Sequence, residues 1–340
     1  MSKSFEPAFT ISVQAADSLA KIVESVTRLD LGTDYRLDVR LHRENRVRSI
    51  YSSLAIEGNM LSLPEVADVL QGKAVWGRPR DIQEVKNAHE AYEQLRSFDP
   101  YQARDFLAAH RLITQGLIGE AGTFRSGDVA VYSDDVPVHI GARPQFVPDL
   151  VDELFGWARD SELHPVLLSA IVHCEIETIH PFADGNGRIG RLWQTLILSR
   201  WNEAFASLPM ESVVFENRPR YYEALRASQR TSDATSFIEF SLGAILDTIE
   251  SVLVQYEKST ESSARTSSGR INGRISGRIN EDVLALLRRD PSLTTPQLAV
   301  QLGKGERTVR RALATLQAAG RLRREGSKKT GRWIVNEETL

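Results

Sequence analysis

Apolar residues recur at helical spacing through most of the first 258 positions. Ser12 to Thr27 and Leu37 to Ala55 read as amphipathic helices, the second rich in arginine on its outer face. Asp81 to Phe98, Ala103 to Ile118 and Val147 to Ala158 read as further helices. Val166 to Ile179 and Leu192 to Trp201 are apolar helical runs flanking one tight loop, and Ser236 to Glu257 is a long closing helix. Only Val129 to Tyr132 and Val136 to Ile140 look extended, with a polar turn, Ser133-Asp134-Asp135, between them. The pattern predicts a mainly α fold with one small β-hairpin.

Turn and cap residues sharpen the boundaries. Gly58, after Ile56-Glu57, suits a left-handed residue just past a helix end. Ser62-Leu63-Pro64-Glu65 carries the serine, early proline and glutamate of a capping box. Between 259 and 280 Ser, Gly and Arg dominate, and Gly-Arg-Ile-Asn/Ser recurs every four residues from Gly269. This stretch reads either as a flexible linker or, given its isoleucines, as a segment that docks on a domain or partner. Glu281–Arg289, Thr295–Leu302 and Glu306–Ala319 predict three helices, with Gly303 in the turn between the last two. Two strands within Leu322 to Val335, around a tip at 326–331, complete the outline of a winged helix-turn-helix. The expected organisation is a helical region over 1–80, a second domain over 81–258, a linker over 259–280 and the winged module over 281–340.

Composition narrows the classes. With 340 residues, 41% hydrophobic and 26% charged, the chain is of ordinary globular type, long enough for two or three domains. No apolar run approaches a membrane span, and Met1 to Thr10 lacks a signal-peptide pattern, so a cytoplasmic location is expected. The single cysteine, Cys174, excludes an intramolecular disulfide; within an apolar helix it reads as a buried residue rather than a reactive thiol. Charge is uneven: residues 262–340 hold 16 lysines and arginines against 7 acids, whereas the rest holds 26 against 38. Only the basic tail is therefore suited to nucleic acid. Arg307, Arg310 and Arg311, on or near one face of its third helix, could meet DNA phosphates or base edges. A protein-interaction module of the same fold is the alternative.

The chemistry concentrates in the loop between the apolar runs, His180-Pro181-Phe182-Ala183-Asp184-Gly185-Asn186-Gly187-Arg188-Ile189-Gly190-Arg191. Pro181 disfavours α geometry at His180, while Gly185 and Gly187 permit positive φ and close approach of a ligand to backbone. A helix starting near Asn186 turns its unpaired amides and the positive end of its dipole toward the glycines, making an anion site. Arg188 and Arg191, three residues apart, share one face and can grip phosphate oxygens as planar forks. Asp184 is a hard oxygen ligand suited to Mg²⁺ bridging phosphates. Histidine at 180 is the group here suited to take a hydroxyl proton near neutral pH. Base, metal ligand and anion cradle together are the parts of a phosphoryl-type transfer.

These twelve residues match the whole signature of the Fic family, histidine-proline-phenylalanine-x-acid-glycine-asparagine-glycine-arginine-x-x-arginine, and the resemblance extends over about residues 40 to 250. It implies AMP transfer from ATP to a Tyr, Ser or Thr hydroxyl of a target protein. His180 would be the catalytic base and Asp184 the Mg²⁺ ligand. Gly185, Asn186, Gly187, Arg188, Ile189, Gly190 and Arg191 would bind nucleotide, with Phe182 as the loop's anchor. Ser53-Leu54-Ala55-Ile56-Glu57-Gly58 resembles the family's inhibitory motif, Ser/Thr-x-x-x-Glu-Gly/Asn. There the glutamate pairs with the second motif arginine, which corresponds to Arg191. Glu57 would thus keep the resting enzyme nearly silent, with Ser53 helping to fix the helix end.

The hairpin is similar to the family's flap, which lies over the active site and pairs with the target segment as an added strand. Val136 to His139 align with its nucleotide- and target-facing edge, where His139 either touches substrate or stands by. Gly141-Ala142-Arg143-Pro144 departs from the consecutive prolines found in many relatives. Of the adjacent Tyr221 and Tyr222, at most one is naturally core; the resemblance places the pair near adenine, and Tyr222 is the expected contact, with Gln229 nearby. Family members often dimerise. Two alternatives remain open: a bifunctional enzyme that also removes AMP, with Glu57 activating water, and a DNA-binding regulator whose Fic domain senses nucleotide.

Overall fold

The computed structural model describes residues 5–32, 39–133, 136–325 and 332–336, with the side chains of 31–32, 131–139 and 257–279 outside the described set. Contacts divide the chain into two compact units, Met1–Tyr256 and Glu257–Leu340. The first contains α1 (Val13–Gly32), α2 (Val39–Ile56), α3 (Leu63–Leu70), α4 (Pro79–Glu93), α5 (Ala103–Thr114), the hairpin β1 (Ala130–Ser133) and β2 (Val136–Ile140), and α6 (Val147–Asp160). Then come α7 (Pro165–Ile179), α8 (Asn186–Trp201), α9 (Met210–Glu216), α10 (Arg218–Thr231) and α11 (Thr235–Arg289), of which the part up to Tyr256 belongs to this unit. The strands pair antiparallel, Ala130 opposite Ile140 and Ser133 opposite Val136, with an irregularity at Val131/Tyr132. The turn residues Asp134 and Asp135 lie outside the described residues.

α7 and α8 form the central antiparallel pair, buried on nearly every face. Trp193 of α8 is fully buried against Phe106 and Phe155, and its indole N–H donates to the Pro100 carbonyl at 2.9 Å. Each such aromatic contributes roughly 1.5–3 kcal/mol through burial, provided its polar atom finds a partner. A second apolar cluster packs α1, α10 and the start of α11 against the other side of α7, where Cys174 is buried. The Ser62 amide and hydroxyl both reach the Glu65 carboxylate, at 2.7 and 2.6 Å, and α3 begins at Leu63. Gly58 has φ 86° and lets the chain leave α2 sharply.

Two features add to the sequence reading. The backbone is helical through 259–280, the stretch read as a linker or docking segment, because α11 runs unbroken from Thr235 to Arg289. Glycine and serine weaken a helix without forbidding it, no proline stands inside this span, and Pro291 follows its end. Met210–Glu216 is a helix that the pattern did not predict; seven residues are too few to establish a period.

The second unit holds α12 (Thr295–Leu302), α13 (Glu306–Ala318) and the antiparallel pair β3 (Leu322–Glu325) and β4 (Arg332–Val335). Its core joins Val283, Leu287, Leu298, Val309, Leu313 and Trp333. Gly303, at φ 62°, ends α12 in a left-handed turn. The tip at 326–331 lies outside the described residues.

Candidate active site

α7 ends by handing the chain to His180, whose amide still donates to Ile176 at 2.9 Å while its own backbone turns left-handed, φ 53° and ψ 62°. A non-glycine residue there costs on the order of 1–2 kcal/mol, so the surroundings must hold it. Phe182 then plunges into the core and stacks on His110, with ring centroids 3.6 Å apart. The Asn186 side chain staples the loop reciprocally: its Oδ1 accepts from the Phe182 amide and its Nδ2 donates to the Phe182 carbonyl, both at 2.9 Å. His110 accepts at Nδ1 from the Gly122 amide and donates from Nε2 to the Asp184 carbonyl at 2.9 Å. Burial pushes its pKa down to about 4, which keeps it neutral in that tautomer. Gly185, at φ 91°, caps α8, and a side chain there would press on Thr114 and His110.

The N-terminal turn of α8 opens onto a cavity of about 600 Å³. Glu57, Glu177, His180, Asp184, Gly185 and Gly187 line one side; Arg218, Tyr222, Leu225 and Gln229 line the other. The first amides of α8 have no partner within the helix, so this end favours an anion. The Asn186 side chain is fully used inside the loop, which leaves only its backbone for a ligand.

Both motif arginines are buried and held by carboxylates. Arg191, 3% exposed, donates from Nη2 to Glu57 Oε1 at 2.8 Å and to the Ser53 carbonyl at 3.0 Å, and from Nε to Ser53 Oγ at 3.1 Å. Burial lowers its pKa, but the adjacent Glu57 carboxylate outweighs this and the net shift is upward. Arg188 donates to Asp184 Oδ1 at 3.0 Å and to Glu84 Oε1 at 3.4 Å. Arg80, from α4, bonds the other Asp184 oxygen at 2.9 Å and Glu84 at 3.3 Å. Burial works to raise the Asp184 pKa, yet Arg188 and Arg80 hold it below the usual range, so it is a carboxylate. Nε of Arg188 and Nη1 of Arg191 are buried and make no hydrogen bond among the described residues. Gly187 is close behind the Glu57–Arg191 pair: a β-carbon there would clash with Glu57 Oε1 and meet Arg191 Nη1 at 3.0 Å.

The two tyrosines divide as their helix positions require. Tyr221 is buried, its hydroxyl between His173 Nε2 at 3.2 Å and Glu177 Oε1 at 3.4 Å, whereas Tyr222 lines the cavity beneath Arg218. Gln229 donates from Nε2 to the Glu177 carbonyl at 3.3 Å. Ile189 is buried in the core and Gly190 packs on His173 and Glu177, so both stand behind the cavity wall. Val136 and His139 lie on β2 by their backbones, and their side chains are outside the described residues. Sequence reasoning missed Arg80, Glu84, Arg125 and Glu177; none carries a local signal that separates it from an ordinary helix or loop charge. Among the described residues no cluster of three or more His, Cys, Asp or Glu could hold a metal ion, and of the carboxylates lining the cavity Asp184 is the one within the glycine loop. One carboxylate fits an ion such as Mg²⁺ that takes its remaining ligands from substrate phosphates and water.

Comparison with known proteins gives consistent relatives. The Fic/DOC family model matches residues 100–198. The Protein adenylyltransferase Fic of Culex quinquefasciatus is 30% identical over 251 residues, 71% of this chain and 46% of its own length. The protein of the same name from Nematostella vectensis is 32% identical over 225 residues, 63% of this chain and 50% of its own length. The chain thus spans about half the length of the curated relatives it matches. A crystal structure of a Fic family protein from Desulfovibrio desulfuricans superimposes with a TM-score of 0.71 at 36% identity, covering 99% of this chain and 100% of that one. Fic-1 from C. elegans shares the fold with a TM-score of 0.61 at 24% identity, over 74% of each chain.

Proposed function

This chain belongs to the Fic family, and on that premise we propose that it is a protein adenylyltransferase, autoinhibited by Glu57. The observation that carries the reading is the pairing at 2.8 Å of buried Arg191 with Glu57, which lines a cavity together with His180 and the glycine turn. His180 takes the proton of the target hydroxyl as its oxygen attacks the α-phosphorus of ATP. The new O–P bond replaces the bond to the β-phosphate bridging oxygen, and pyrophosphate leaves. Amides of the first turn of α8 stabilise charge on the phosphate without reorganising, and catalysis is mainly positioning and electrostatics. Asp184 would hold Mg²⁺, which supplies charge neutralisation to the phosphates when bound.

Arg188 and Arg191 bind the β- and γ-phosphates once their carboxylate partners yield. Arg191 cannot hold Glu57 and a γ-phosphate at once, so the resting enzyme admits nucleotide only in an unproductive pose. Tyr222 and Gln229 receive adenine and ribose, and the target segment adds to β2 as an extra strand, with the hydroxyl toward His180.

The test uses wild type, Glu57→Gly and Glu57→Gly/His180→Ala with Mg²⁺ and ATP labelled at the α-phosphate. Label on protein with Glu57→Gly alone is the expected result. Equal labelling of wild type and Glu57→Gly would remove the brake, and label surviving His180→Ala would remove the base. Release of AMP from modified protein by wild type but not by Glu57→Gly would add the reverse reaction, with Glu57 activating water.

A second reading concerns residues 281–340 as a winged helix-turn-helix. It is supported by the exposure of Arg307, Arg310 and Arg311 on α13, opposite buried Val309, Ala312, Leu313 and Leu316. Arg310 is tied to Glu306 at 2.9 Å, which leaves Arg307 and Arg311 as the leading DNA contacts. A gel shift with mixed-sequence duplex, lost in Arg307→Ala/Arg311→Ala, checks this. A shift that survives the pair would remove these two arginines as the contacts, and no shift with wild type would favour a protein partner.

A further inference from the structure

Arg125 lies outside the motif, between α5 and β1, and is only 3% exposed. Its guanidinium serves three carbonyls from three segments. Nε donates to His180 at 2.7 Å, Nη1 to Gly127 at 2.8 Å, and Nη2 to Ala142. Its own amide donates to Pro181 at 3.1 Å. Among the described residues no carboxylate lies within 4 Å of it. A buried cation that spends its donors on backbone rather than on an acid is unusual, because each oxygen it serves would be orphaned without it.

The three segments matter for where they lead. Gly127 precedes β1 and Ala142 follows β2, so these are the two feet of the hairpin. The feet are tied further: the Gly141 amide donates to Val129 at 3.1 Å, and the Ala142 amide to Ile179 at 3.3 Å. A β-carbon on Gly141 would sit 3.2 Å from Cβ of His180. The third segment is His180 itself, in the left-handed conformation that an L-residue does not keep unaided. One planar fork thus joins the residue that carries the imidazole to both ends of the hairpin. Lysine has a single flexible nitrogen and cannot span three carbonyls in fixed directions.

We propose that Arg125 is a positioning residue for AMP transfer, holding His180 in register with the hairpin that presents the target hydroxyl. The inference rests on the reading of His180 as base and of β2 as target-docking strand. It separates two properties. Nucleotide binding draws on α8, α10 and their arginines, none of which Arg125 touches. The meeting of imidazole and hydroxyl draws on the clamp, and a displacement near 1 Å there costs about 100-fold in rate.

The test introduces Arg125→Met and Arg125→Lys into Glu57→Gly protein. ATP affinity is measured by calorimetry, transfer by label on protein in a single turnover, and amide exchange over 125–142 and 165–201 by mass spectrometry. Expected are ATP dissociation constants within about twofold of the parent and transfer down about 100-fold for Met and about 10-fold for Lys. Exchange should accelerate at Gly141 and Ala142 in the Met variant while α7 and α8 keep their protection. Parent-like transfer in Arg125→Met, or loss of ATP affinity and of α7–α8 protection in step with activity, overturns the proposal. If Glu57→Gly itself transfers no label, the functional reading fails. Unchanged exchange at Gly141 and Ala142 then still overturns the clamp on its own.

Discussion

The two ends of the loop between α7 and α8 are held by opposite means. At His180 and Pro181 the chain is fixed by neutral carbonyls accepting from one buried arginine, a contact that a phosphate cannot replace. At Asp184 to Arg191 it is fixed by ion pairs to Glu57, Glu84 and Arg80, contacts that a phosphate can replace, charge for charge. On the proposed function, such a division suits a base that must stay put while the anion grip changes partners.

That contrast can be broken from either end. The largest effect is expected from Glu57→Gly: release of a charge-assisted contact worth roughly 2–3 kcal/mol should raise AMP transfer on the order of 100-fold. Single-turnover labelling measures it. Next is the loop's buried support, His110. Its pKa of about 4 lies below the unfolded value of 6.5, so the unfolded chain binds the extra proton between these values. Stability present above pH 6.5 should fall as pH drops toward 4, by about 3 kcal/mol in all. Urea unfolding at pH 7 and pH 4.5 checks this, and His110→Gln should flatten the difference.

Glu175 on α7 behaves in the opposite sense, because burial pushes its pKa up to about 7. Between pH 4.5 and about 7 the fold holds the proton that the unfolded chain has lost, so stability falls across that window and stays lower above it. Glu175→Gln should stabilise by roughly 2 kcal/mol at pH 8 and by almost nothing at pH 4.5. Smallest is Glu84→Gln. Its bond to Arg188 is long, 3.4 Å, and Asp184 remains on that arginine, so ATP should bind only about fivefold more tightly by calorimetry.

Much of this was legible in the sequence, wherever a local rule sufficed. The end of α7 at Ile179, the start of α8 at Asn186 and both bounds of α12 follow from proline, glycine and apolar spacing alone. The Glu57–Arg191 contact required the family pattern, since the two residues lie 134 positions apart. Ser53 carried more than its expected part: besides standing one turn before Glu57, it bonds Arg191 with both its hydroxyl and its carbonyl. Arg125, Arg80 and Glu84 were illegible for a physical reason. Each looks like a surface charge until chain segments far apart in sequence converge on it. Helix continuity through 259–280 was equally hidden, because glycine-rich composition argues about propensity and cannot forbid a helix that no proline interrupts.

Gly187 makes room for the proposed brake. A β-carbon there would clash with the Glu57 oxygen, so the carboxylate occupies space that no side chain at 187 could share. On the proposed reading, ATP fills the cavity unproductively while Glu57 holds Arg191, so more ATP fills both poses alike and the productive share is set by how the two anions divide that arginine. Every 1.4 kcal/mol in favour of Glu57 cuts that share tenfold. Glu57→Asp, one methylene shorter, should therefore raise the rate at saturating ATP, measured by single-turnover labelling. Such a brake is a partition between poses rather than a threshold in supply.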